Sequence, residues 1–222
     1  MKRLFFSLAI LSVSFLLFAQ LDKEQLALDA SNAESANTDK LKAYIWKRYS
    51  TATVDGEVKA TMISEFSFDE NGEVQATQVG GESNVKQKFG VRGRIQKSAM
   101  ENNMDYIDQA LQLALAYTYM SKGQLLDFFE KGTISETGNT IEVSAGDVYM
   151  KGDSLTVLLD KETKLFINKK FSSLLDEDAI DGEIKYETFS SGISHGAKTT
   201  LNLPAKNAVI EAENKDYSQR IN

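Results

Sequence analysis

Apolar residues recur at every second position through EVKATMISEFSF, residues 57–68, where Val58, Ala60, Met62, Ser64, Phe66 and Phe68 form a mostly apolar row against a polar one. A period of two is the spacing of one face of a β-strand. The run before it, AYIWKRYSTATV, is dense in aromatic and β-branched residues, which suit a half-buried pleated surface. Asp55-Gly56 separates the two runs and signals a hairpin. A second turn, DENG, leads into EVQATQV, so the pattern predicts a three-stranded meander ending at Gly80-Gly81.

From Ile95 to Ser121 the period changes: Ile95, Ala99, Met100, Met104, Ile107, Leu111, Ala114, Leu115 and Thr118 recur three or four apart. That spacing predicts a long amphipathic helix. Gly123 is expected to interrupt it, and Leu125, Leu126, Phe128 and Phe129 mark a second, shorter helix over residues 124–131. Residues 21–40, rich in Ala, Glu and Asp with Leu21, Leu26 and Leu28, predict a leading helix. After residue 132 short alternating runs return: TISET, NTIEVSA, DVYMKG, SLTVLLD, KLFINKKFSSLL, EIKYETF, KTTLNLP and NAVIEAENKDY, each bounded by Gly, Asn or Asp. Helix, meander, helix pair and long meander define an α+β fold, with helices packed on one face of a strongly curved antiparallel sheet.

The N-terminus changes the setting. MKRLFFSLAILSVSFLLFAQ begins with Lys2 and Arg3, continues with an apolar run from Leu4 to Phe18 and reaches Ala19. This reads as a secretory signal peptide over residues 1–19, followed by a single domain over 20–222 and a periplasmic or secreted location. The chain has no cysteine, which excludes disulfides, thiol catalysis, thiolate metal sites and a lipidated cysteine. Its formal net charge is −7, against general nucleic-acid binding.

Three stretches of the C-terminal half, Asp160 to Thr163, Asp176 to Gly182 and Asn214 to Tyr217, follow the turn and closing-strand pattern of a known group. The region resembles bacterial lipoprotein carriers of the LolA and LolB type and their lipoprotein-sorting relatives. The resemblance implies a half-open antiparallel barrel, lidded by helices, that shelters acyl chains or another apolar ligand. It implies no ligand-gating residue, because no position here matches one.

The candidate chemistry is sparse. VKQKFGVRGRIQK, residues 85–97, gathers Lys86, Lys88, Arg92, Arg94 and Lys97 without one acid, and contains a G-x-x-G of the kind that grips RNA backbone in KH domains. Those domains place that loop between two helices, whereas here a strand precedes it. The stretch is therefore expected to be a basic connector just before the long helix, with Arg92, Arg94 and Lys97 as a candidate anion site. The acidic run LDEDAIDGE misses EF-hand spacing, since Ile180 takes a ligand position and Gly182 falls one place late, so a solvated turn is expected. His195, the sole histidine, is expected in a surface loop, without a nucleophile elbow nearby. Neither a catalytic set nor a metal set emerges, and no cofactor is called for. Trp46, Met100, Met104, Ile107 and Phe128 are the candidate apolar lining of a ligand cavity. The expected function is a non-enzymatic binder or carrier of a lipid or other amphipathic molecule, with peripheral membrane contact and no nucleic acid. An envelope interaction module with a solid core is the alternative.

Overall fold

The structure is a computed structural model. It describes residues 23–70, 72–83, 91–175, 177–189 and 191–220, and for residues 83 and 91–104 the backbone alone. The signal-peptide segment expected over residues 1–19 lies outside the described residues.

The chain opens with helix α1, residues 23–41, followed by strands β1 (Tyr44–Val54), β2 (Glu57–Phe68) and β3 (Val74–Ser83). Helices α2 (Val91–Thr118) and α3 (Lys122–Lys131) come next. Seven strands complete it: β4 (Thr133–Thr137), β5 (Thr140–Gly146), β6 (Ser154–Asp160), β7 (Phe166–Leu175), β8 (Asp178–Thr188), β9 (Ser194–Leu203) and β10 (Ala208–Gln219). The predicted first meander forms as expected. At its first turn Asp55 and Gly56 both take the left-handed backbone, φ 53° and 77°, that matches strand twist in a two-residue hairpin.

All ten strands form one antiparallel sheet in the order β3-β2-β1-β10-β9-β8-β7-β6-β5-β4. The last strand pairs with the first, Tyr44 opposite Gln219 and Val54 opposite Ala208, so the N-terminal meander is joined to the C-terminal one. Register shifts interrupt the ladders at Ile45/Lys47, Ala52/Thr53, Ile63/Ser64, Leu158/Leu159 and Lys185/Tyr186. Each shift bends and twists its strand, and together they curl the sheet without closing it. The strand edges left over are β3 and β4.

The helices cover the concave face. Ala27 and Ala30 of α1, Leu111 and Tyr117 of α2, and Leu125 and Phe129 of α3 share one core with Val157, Phe171, Ile184 and Leu201 of the sheet. Asn37 ties α1 to β9, its amide donating to the Ser194 carbonyl at 2.8 Å and its oxygen accepting the Ser194 N–H at 2.7 Å. The C-terminal end of α2 is fixed from below: the fully buried Lys169 donates to the carbonyls of Tyr117 and Thr118, both at 3.0 Å, and the Tyr186 hydroxyl donates to Thr118 at 3.1 Å. A cation there also suits the negative end of the helix dipole.

Four expectations are corrected. DVYMKG is not a strand; residues 147–152 form a loop closed on Asp153, whose carboxylate accepts N–H bonds from Val148 (2.6 Å), Tyr149 (2.8 Å) and Met150 (3.2 Å). An aspartate placed there offers the backbone an alternative to a ladder. Gly123 lies inside α3, and the break comes at Ser121, which caps the helix in a reciprocal capping box with Gln124. The acidic run is mostly strand: after a tight turn at Glu177, β8 begins at Asp178 and alternation turns Ile180, Gly182 and Ile184 inward. Arg92, Arg94 and Lys97 fall within the first turns of α2 and not before it.

Gly182 also makes room. A Cβ there would lie 2.2 Å from the ring of Phe171, its cross-strand partner, and Phe171 stacks on Tyr117 with centroids 4.1 Å apart. The three together seat the end of α2 on the sheet. Gly182→Ala is expected to destabilise the fold by about 1–3 kcal/mol through overpacking, read as a lower urea midpoint with an unchanged slope.

Candidate functional site

Among the described residues two volumes are open where the helices meet the sheet, and α2 borders both. The smaller, about 210 Å³, lies under α2 against β1, β2 and β10, with Ala52, Ala60, Met62, Ile107, Leu111 and Ile210 as its apolar wall. Small residues at the inward positions of β1 and β2 create it. Ala52 and Ala60 sit directly opposite each other, so at that level neither strand sends a long side chain towards the helix. The Ser50 hydroxyl at its edge is buried without a hydrogen-bond partner.

The larger volume, about 690 Å³, is a cleft between α1, the α2–α3 junction and the β2–β3 hairpin. Ser31, Glu34 and Thr38 line one wall, three and four residues apart on one face of α1. Leu115, Tyr119 and Leu125 line the other, and Phe68 closes the base. The hydroxyls of Ser31 and Tyr119 are both buried without a partner. Burial pushes the Glu34 carboxyl up, and the charge of Lys169 opposes that rise. Burial likewise lowers Lys169, with Glu34 opposing. The pair thus spans from the cleft wall to the sheet beneath the end of α2.

Behind Tyr119 lies an aromatic cage on the inner face of β1 and β2. Trp46, 1% exposed, stacks between Phe66 at 5.8 Å and Tyr217 at 5.6 Å, with Phe68 and Tyr119 at 5.7 and 6.4 Å. Two residues along the same strand face, Arg48 is 3% exposed, its guanidinium 4.5 Å from the Phe66 ring centre. Its Nε donates to the Asn214 side-chain oxygen at 2.9 Å, and the Asn214 amide donates to the Gly196 carbonyl. Burial holds Arg48 below the ordinary arginine range. The Trp46 indole N–H is buried without an acceptor.

His195 is not in a surface loop. It is 6% exposed on β9, its ring 4.4 Å from Phe189 and its Nδ1 3.0 Å from the Tyr217 hydroxyl. Its serine and glycine neighbours read as loop from sequence, yet pairing with β8, Thr188 opposite Ser194 and Tyr186 opposite Gly196, carries the strand through Ser194 and Gly196.

Of the sequence candidates, Ile107 lines the smaller volume and Trp46 forms the cage. Phe128 is 1% exposed and packs edge-on against Phe129 at 5.5 Å, lining neither volume. The side chains of Met100, Met104, Arg92, Arg94 and Lys97 lie outside the described residues. Arg48, Tyr119, Glu34 and Lys169 were not singled out by sequence, although the alternation that places Trp46 inward places Arg48 inward too. Among the described residues no cluster of three potential metal-binding side chains occurs, and no helix is long and apolar enough to cross a membrane.

No protein-family profile matches the chain, and no curated protein matches it. Solved structures to which it is similar include a DUF1329 family protein from Desulfovibrio piger, at 9% identity and TM-score 0.42, covering 90% of this chain and 92% of that one. A putative outer membrane lipoprotein-sorting protein domain from Vibrio parahaemolyticus gives 9% identity and TM-score 0.42, over 87% of this chain and 93% of that one. A LolA superfamily protein from Nitrosomonas europaea gives 7% identity and TM-score 0.33, over 85% and 94%.

The buried His195 gives a pH signature. Burial holds its imidazole below the ordinary 6.5, so above that value it is neutral folded or unfolded, and below it the unfolded chain takes up the proton first. Stability is therefore expected to fall as pH drops from about 6.5, because the unfolded state binds more protons there. Urea denaturation between pH 7.5 and 5.5 is expected to show the loss, and His195→Phe to flatten the slope across that window.

Proposed function

We propose that the protein is an exported, non-enzymatic carrier that shelters a lipid or other amphipathic molecule between its helices and its curled sheet. The observation that carries this reading is the apolar pocket beneath α2, bordered by Ala52, Ala60, Ile107 and Leu111, together with the wider, partly polar cleft on the other side of the same helix. The smaller volume suits a chain of methylenes, and the cleft combines apolar walls at Leu115, Leu125 and Phe68 with polar groups of α1. Such mixed concave sites, mostly apolar with a few placed polar groups, are the usual form of a small-molecule pocket. Export follows from the N-terminal pattern, with cleavage after Ala19 leaving one domain over residues 20–222. Contact with a membrane surface, where the cargo is collected or delivered, belongs to the same reading.

Protein purified from its own host is expected to carry a lipid-sized mass in native mass spectrometry that is released on denaturation. Ligand-free protein that also fails to bind a fluorescent apolar probe would favour the interaction module instead. Ala52→Leu, which adds bulk at the pocket wall, is expected to weaken probe binding several-fold while the far-ultraviolet circular dichroism stays unchanged.

A further inference from the structure

The buried charges beneath the helices do not balance. Lys169 has a carboxyl within its field, Glu34, and two helix carbonyls on its ammonium. Arg48 has none: its partners are the neutral Asn214 amide and the Phe66 ring, and no carboxylate of the described residues pairs with it. A guanidinium 3% exposed without a counter-anion is costly, because the interior does not replace the water it has lost. Its neighbours make the shortage more specific. The Trp46 indole, which can only donate, and the Tyr119 hydroxyl are both buried and unpartnered. The two rings are neighbours, 6.4 Å apart between centroids, and the Arg48 charge acts directly on Tyr119. Of these three donor groups in one apolar cage, two lack an acceptor and the third lacks a counter-anion.

We propose that this cage is an oxyanion site: the carboxylate or phosphate end of an amphipathic ligand is held by the Arg48 guanidinium, with the Trp46 N–H and Tyr119 O–H as further donors. Tyr119 belongs to both the cage and the wall of the 690 Å³ cleft, so it is the side chain an entering head group meets first, and its rotation admits the anion to Arg48. The apolar remainder of the ligand lies along Leu115, Phe68 and Leu125. A planar guanidinium matches a two-oxygen acceptor better than an ammonium does, which fits Arg at the centre of the cage and Lys169 at the helix carbonyls. This assignment rests on the carrier reading and narrows it to acidic cargo.

Trp46 is the only tryptophan, so its fluorescence reports on the cage without labelling. Sodium decanoate, decanol, decylamine and inorganic phosphate are titrated into the full mature chain at pH 7.5, each amphiphile below its micelle concentration. Decanoate is expected to bind at least about tenfold more tightly than decanol or decylamine, the scale of one charge-assisted hydrogen bond. Arg48→Met, which replaces a buried charge by an apolar side chain of similar length, is expected to fold and to bind decanol as the wild type does while losing the decanoate preference. Tyr119→Phe deletes only an unpartnered hydroxyl and is expected to weaken decanoate several-fold and decanol not at all. It decides the matter if Arg48→Met does not fold. Equal affinities for decanoate, decanol and decylamine, or a preference that survives Arg48→Met, would overturn the oxyanion site and leave the carrier reading standing. No response to any amphiphile would remove both. Inorganic phosphate binding as tightly as decanoate would overturn the amphiphilic head-group assignment.

Discussion

The edges of the sheet, β3 and β4, are neighbours in the sequence but lie at opposite ends of the strand order. Whatever joins them must cross the full width of the sheet. Ten strands laid flat span about 43 Å at about 4.8 Å per gap, and the 28 residues of α2 rise about 42 Å. The helix supplies much of that crossing. Its middle faces β1 and β2 at Ile107, its end rests on β7 and β8 at Lys169 and Tyr186, and α3 completes the crossing over β5. A straight rod laid across a curled surface touches well at some places and leaves room at others. The volumes beside α2 follow from that mismatch.

The same geometry explains the unusual polar groups on the concave face. A helix ending over the middle of a sheet leaves its last carbonyls without intrahelical partners and away from water. Lys169 and Tyr186 rise from the sheet to meet two of them. Asp153 serves the loop 147–152 in a similar way and also accepts the Tyr117 hydroxyl at 2.6 Å. These buried polar residues complete the backbone around them. Arg48 differs because its environment supplies rings and one amide but no anion, and that contrast sets the cage apart from ordinary scaffolding.

Much of the architecture was legible in the sequence because it rests on period. Alternation gave the first meander and most late strands, and the three-four spacing gave α2 and α3. Where side-chain chemistry competes with period, the reading failed: Asp153 gathers a predicted strand into a loop, and Ser121 ends a helix where Gly123 had seemed the natural break. His195 failed for the opposite reason, since its Ser and Gly neighbours look like a loop until β8 pairs with them. The site was less legible than the fold. Ile107 was recoverable from the helix stripe, but the partners that give Arg48, Tyr119 and Glu34 their meaning come from β10, β1 and β7, far apart in the chain. No local pattern carries a charge imbalance.

The pairing of β1 with β10 also governs time. Three strands made early in synthesis cannot take their place in the sheet until the last one has been made, since among the described residues the ladder that joins them to the other seven runs from Tyr44 opposite Gln219 to Val54 opposite Ala208. Contacts between such distant segments form late and slow folding. The nascent chain consequently remains open through most of its synthesis, with the inward row of β1 and β2 unburied. The strand order itself thus leaves the sheet incomplete until its final strand has been made.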